Sequence, residues 1–154
     1  MAVSIPEMSP PAAEDLGALA DWVGRSLPAS YVDFVRRHDG ATLPDNSIKT
    51  LDNELTVVRF IPVCEATSMA TNVEGFPVAV IPLAEDDCGN HFYIEPSTGA
   101  VHFWDHELDG LDELVAEDVD AFVEKLMPFD ARAVALDPGQ VKRVWVNPSF
   151  KPEF

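Results

Sequence analysis

The side chains best suited to chemistry crowd into residues 85–107, which hold three consecutive acids, a cysteine, three histidines and a Ser-Thr turn. Among them His102, Asp105, His106 and Glu107 are of metal-ligand type. A helical His-x-x-x-His turns both rings to one face, as zinc requires. Here the residues between the two histidines read as strand, which sets the rings about 13 Å apart at roughly 3.3 Å per residue, too far to share an ion. Nucleophilic catalysis needs a nucleophile, a base and an orienting group within hydrogen-bond reach. Cys88, Ser97 and Thr98 all fall in turns, with no partner at a recognised spacing. Asp86 and Asp87 are of the type that does general acid–base work, but adjacent carboxylates in a turn are solvated. No set of roles survives these checks, so the expectation is a non-enzymatic chain with no cofactor and no metal site. A small ligand- or metal-binding protein using the segment after Trp104 is the second alternative.

The charge is the stronger signal. The net charge is −17, and from Phe60 through Glu124 there is no Lys or Arg. Fifteen of the 27 acids lie in that window, while the remaining 12 are nearly balanced by the 10 bases. Such a field repels nucleic acid and anionic membrane, both of which present phosphates. It accelerates encounter with a basic protein by electrostatic steering. The expected partner-binding residues are Asp86, Asp87, Asp105, Glu107 and Asp109 as an acidic rim, with Trp104 as an aromatic anchor.

A chain of 154 residues is most simply one domain that buries roughly two-thirds of its unfolded surface. The 47% apolar share argues against disorder. No apolar run approaches the roughly 20 residues of a membrane-spanning helix. The N-terminal stretch lacks the basic and apolar regions of a secretory signal, so a cytoplasmic protein is expected. Cys64 and Cys88, the only cysteines, then read as reduced thiols, at least one of them partly buried.

The elements that position these residues follow from periodicity. Residues 1–11, rich in Pro and Ser, read as a loose arm, and 12–154 as a single domain. A first helix runs from Ala12 or Ala13 through Trp22 and Val23, on the stripe Leu16, Leu19, Ala20 and Val23. A second opens with Pro28 in its first turn, buries Tyr31, Phe34 and Val35, and ends at Asp39-Gly40. Residues 41–53 read as loop, 55–61 as strand and 63–72 as a short helix covering one sheet edge. Residues 78–83, 91–95 and 100–105 read as three strands, and 114–127 as a closing helix. In the tail, Val144-Trp145-Val146 reads as a short edge strand. Two N-terminal helices, a bent, mostly antiparallel sheet and a C-terminal helix make an α+β domain.

The hairpin can be read to the residue. Pairing Glu95 with Ala100 across the Pro96–Gly99 turn sets Ile94 opposite Val101 and Phe92 opposite Phe103, on a core face. Tyr93 then meets His102, and His91 meets Trp104, on a second, half-polar and half-aromatic face, which reads either as pairs that stabilise the sheet or as a solvent-exposed interface.

Several segments together resemble a known family. Leu27-Pro28, Tyr31 and Phe34 followed by Asp39-Gly40 resemble the helix opening of the SUKH superfamily, or Smi/Knr-like domains. Ile81-Pro82-Leu83-Ala84 with Asp86 and Gly89-Asn90, the Thr98-Gly99 turn with Val101, and Trp104-Asp105-His106-Glu107 are similar to its central motifs. Val119, Phe122, Val123 and Leu126 resemble its last helix, and 145–150 a C-terminal sequence of some members. Asp87-Cys88 departs from a second glycine common there, and Asp39 from the usual Asn. The resemblance implies a mixed, strongly bent sheet and no intrinsic enzymatic activity. Bacterial members of this type are similar to immunity proteins that neutralise toxins, often nucleases or deaminases. Fungal members act as interaction hubs. The implied function is therefore an immunity protein for a basic toxin domain, with a regulatory or scaffolding module outside any toxin system as the alternative.

Overall fold

A computed structural model describes residues 2–108 and 111–130 and, of the tail, positions 132, 135, 137–140, 143, 145 and 147–151. Helices α1 (Ala13–Val23) and α2 (Ala29–His38) form where the apolar stripes place them. They bury Leu19 and Val23 from α1, and Tyr31, Phe34 and Val35 from α2. Gly24, at φ 79°, closes α1 by sending its amide back to the Ala20 and Asp21 carbonyls. Pro28 stands at the N-cap of α2, one position before its first turn. The N-terminal arm is not loose. The Met8 amide donates to the Arg37 carbonyl at 2.7 Å, His38 meets the Pro6 carbonyl at 2.8 Å, and Val3 and Ile5 pack on the core.

The region between α2 and the next helix differs most from expectation. Instead of a loop and one strand it holds β1 (Asn46–Lys49), β2 (Glu54–Leu55) and β3 (Arg59–Phe60). The order β2-β1-β8 makes a small sheet with β8 (Met127–Pro128), whereas β3 joins the main sheet. Asn46 divides the predicted strand. Its buried carboxamide accepts from the Val57 amide at 3.0 Å and donates to the Val57 carbonyl at 2.7 Å, giving that backbone a side-chain partner in place of a neighbouring strand. Helix α3 (Val63–Asn72) follows as expected.

The main sheet has the order β3-β4-β5-β6-β7, with β4 Ile81–Glu85, β5 His91–Ile94, β6 Val101–Asp105 and β7 Leu111–Ala116. Every pairing among the described residues is antiparallel, so the mixed sheet implied by the resemblance is not found. The predicted hairpin register holds at all four pairs, His91–Trp104, Phe92–Phe103, Tyr93–His102 and Ile94–Val101. Phe92, Ile94, Val101 and Phe103 enter the core with Phe60 and Phe122.

Residues 114–116 continue a strand rather than begin a helix. The closing helix α4 (Val119–Lys125) starts only after Asp118, whose carboxylate accepts from the Ala121 amide at 2.8 Å. Asp118→Ala removes that cap and is expected to lower stability by about 1 kcal/mol in urea unfolding. Among the described residues two sheets and four helices form an α+β domain. Among the described residues no helix is long and apolar enough to cross a membrane. Val144 and Val146 of the expected tail strand lie outside the described residues, and Trp145 is exposed.

Candidate functional site

Of the acidic residues singled out above, Asp86, Asp87, Asp105 and Glu107 lie on two joined loops. In the β4–β5 loop, Asp86 Oδ1 accepts from the Cys88 amide at 2.9 Å and the Asn90 amide at 2.7 Å, while Oδ2 accepts from Asn90 Nδ2 at 3.0 Å. Gly89, at φ 86°, supplies the left-handed turn this closure needs. Asn90 Oδ1 then accepts from the His106 amide at 3.2 Å and lies 2.7 Å from His106 Nδ1. The β4–β5 loop is thereby fixed to the loop after β6, where Asp105 Oδ1 accepts from the Glu107 amide at 2.9 Å. Asp87 and Glu107 are exposed and Asp105 is half-buried. Asp86 serves the turn itself. Asp109 lies outside the described residues.

Trp104 is not a surface anchor. Its side chain is 3% exposed and packs edge-on against Phe76, ring centres 5.3 Å apart, in a second cluster with Ala70, Val80 and Tyr93. The second face of the hairpin is covered by α3 and the segment between α3 and β4, which excludes the solvent-exposed reading for most of it. His91 is buried there beside Phe76 and Trp104, and its burial holds the imidazole below its ordinary pKa. His102 alone stays partly open on this face. It stacks on Tyr93 and bonds Asp112 of β7 through Nδ1 at 2.8 Å, while the Tyr93 hydroxyl donates to the same carboxylate.

Arg59, paired with Glu85 at the end of β4, is already engaged, since it binds Glu85 at 2.7 Å and Glu65 at 3.2 Å. Asp86, Asp87 and Cys88 bring potential metal-ligand atoms within 4.8 Å of one another. Asp86 is committed to three N–H donors, however, and the Cys88 thiol donates to Asp87, which with the nearby acids pushes the thiol pKa up. A thiol held protonated is a poor ligand and nucleophile. His102 and His106 have separate partners in Asp112 and Asn90. Both cysteines are exposed and unpaired, so neither is partly buried as expected.

A feature that escaped sequence reasoning is an open groove of about 900 Å³ between the outer side of β7, α4 and the β1–β2 turn. Leu51 and Leu114 are exposed in it, flanked by Lys49, Asp52, Glu117 and Lys125. Leu114 carried no signal of this, because its spacing also fits the buried face of a helix.

The SMI1 / KNR4 family (SUKH-1) model matches residues 10–125, which include both acidic loops, β7 and α4. The SPbeta prophage-derived uncharacterized protein YokK of Bacillus subtilis (strain 168) is similar, 27% identical over an alignment 155 positions long, gaps included, that covers 82% of this chain and 80% of that protein. With the family pattern spanning three-quarters of its length, this chain belongs to the SMI1 / KNR4 family (SUKH-1).

Proposed function

We propose that this chain is a non-enzymatic protein-binding domain of the cytoplasm that acts as an immunity protein, seating itself on a basic nuclease- or deaminase-type toxin domain and blocking its substrate groove. The observation that carries this reading is the one-sided charge, fifteen acids and no base between Phe60 and Glu124, together with the fixed loops that present Asp87, Asp105 and Glu107. A nuclease surface is positive because it holds phosphates, and an acidic partner competes for the same field. Membership of a family that includes immunity proteins supports the reading, as does the prophage origin of one similar protein.

The test is co-expression with the product of the neighbouring gene. The expected result is a stable complex, and growth of cells that the neighbouring product alone would arrest. A neighbouring product that is harmless alone and elutes separately would overturn the immunity role and favour a regulatory interaction module.

A further inference from the structure

We propose that the groove along β7 takes an extended, basic segment of the protein partner as an added strand, with Leu51 and Leu114 as its apolar anchors. This rests on the reading of the chain as a binder of a basic protein, and it gives that partner a second point of attachment on the strand that follows the second acidic loop.

Among the described residues β7 is the last strand of the main sheet, and its outer edge has no strand beside it. An unpaired edge is a template for another chain, and proteins usually blunt such edges with bulges or lysines. Here the protection is partial. A register shift opposite Val101/His102 places a bulge at Val115, and Lys125 Nζ donates to the Val115 carbonyl at 2.5 Å. Both devices act at the C-terminal end of β7, and residues 111–114 lie outside their reach. Strand addition draws its affinity from such backbone groups and its specificity from side-chain pockets beside them. The groove supplies apolar contacts, since Leu51 is fully exposed on the β1–β2 turn and Leu114 is 63% exposed on β7.

Charge selects the occupant. Asp112 and Glu113 lie on the open part of the strand, and Asp52 and Glu117 line the groove. Two lysines, Lys49 and Lys125, stand against these four acids, so the groove keeps a net negative charge although Asp112 also bonds His102 and Tyr93 and Glu113 accepts from Asn53. A second copy of a chain with net charge −17 meets like charge along this edge. A basic strand with apolar side chains at alternate positions meets opposite charge and two apolar anchors.

The experiment uses the full chain and the product of the neighbouring gene. Affinity is measured for the parent, Leu51→Asp, Leu114→Asp and Asp87→Asn, and backbone exchange in β7 is followed with and without the partner. Both leucines are exposed, so their replacement leaves the fold intact, and urea unfolding checks this. Each aspartate adds negative charge, so an electrostatic effect alone would tighten binding to a basic partner. The expected result is the opposite, a loss of affinity on the order of tenfold or more, with β7 amides slowed only in the complex. If both leucine variants bind like the parent while Asp87→Asn still slows association, the groove is not the docking site and the proposed function stands. If the parent itself fails to bind, the functional reading falls and this inference falls with it. Slow exchange in the free chain, with a dimer in sedimentation or with the tail packed on β7 as a monomer, overturns the choice of a partner strand.

Discussion

Trp104→Ala is expected to destabilise the fold by about 3–5 kcal/mol, the usual range for emptying a large buried aromatic site. The ring is 3% exposed and lies under Phe76, which the turn at Gly75 (φ 76°) brings over the sheet. Tyr93 and Val80 complete the packing around it, and His91 lies beside it. Truncation would leave a cavity between the sheet and the segment after α3, which packs on it through Phe76 and Val80, and such packed surroundings relax only in part. Since a domain of this size has a total stability of about 5–15 kcal/mol, the variant would lose a large part of its margin. Trp104→Phe keeps an aromatic ring in the site and should retain much of that stability. Urea unfolding of both variants decides the matter. If Trp104→Ala unfolds within about 0.5 kcal/mol of the parent, the residue behaves as a surface position and its role as an interface anchor returns.

That reversal shows where a sequence speaks and where it does not. The hairpin register was legible because a turn of defined length fixes which residues face each other, and alternation then sorts them into two faces. Alternation does not say whether the second face meets water or another layer. The layer comes from Phe76 and Val80, more than ten residues before β5, with no local signal to link them to Trp104. The broken strand at residues 56–58 has a similar origin, because the carboxamide of Asn46 supplies backbone hydrogen bonds from eleven residues away. At residues 114–116 the ambiguity is one of period, since Leu114 and Val115 fit a helical stripe and a strand equally well. Only the cap at Asp118 fixes where the helix begins.

The acidic character of the site, a matter of composition, was fully legible. The roles of individual acids were not. Asp86 and Asp87 are neighbours of the same type, yet one carboxylate closes a turn with three N–H donors while the other is exposed. The difference lies in how the loop folds back on Asn90 and His106. The same geometry separates what belongs in a test of the charged rim from what would merely disturb the fold.

The combined variant Asp87→Asn, Asp105→Asn, Glu107→Gln should slow association with the basic partner on the order of tenfold to a hundredfold at low ionic strength. These three carboxylates lie on adjoining loops, and each amide replacement is nearly isosteric. Asn at position 105 keeps an oxygen to accept from the residue-107 amide, so the loop geometry survives. Asp86 is left untouched for the opposite reason. An amide there would set an NH2 against donors it now accepts from, and stability would fall along with binding. Removing three like charges from one surface should leave urea stability unchanged or slightly higher. Because rim charges act mainly on encounter, dissociation should change little. Raising salt should slow the parent steeply and the variant less. At 1 M, where the Debye length is about 3 Å, the two association rates should converge. A parent rate that does not respond to salt, or a variant that associates as fast as the parent at low salt, would remove the acidic rim from the mechanism. A variant that associates slowly at every salt concentration would instead mean that these side chains make direct contacts at the interface, where shape rather than field decides the encounter.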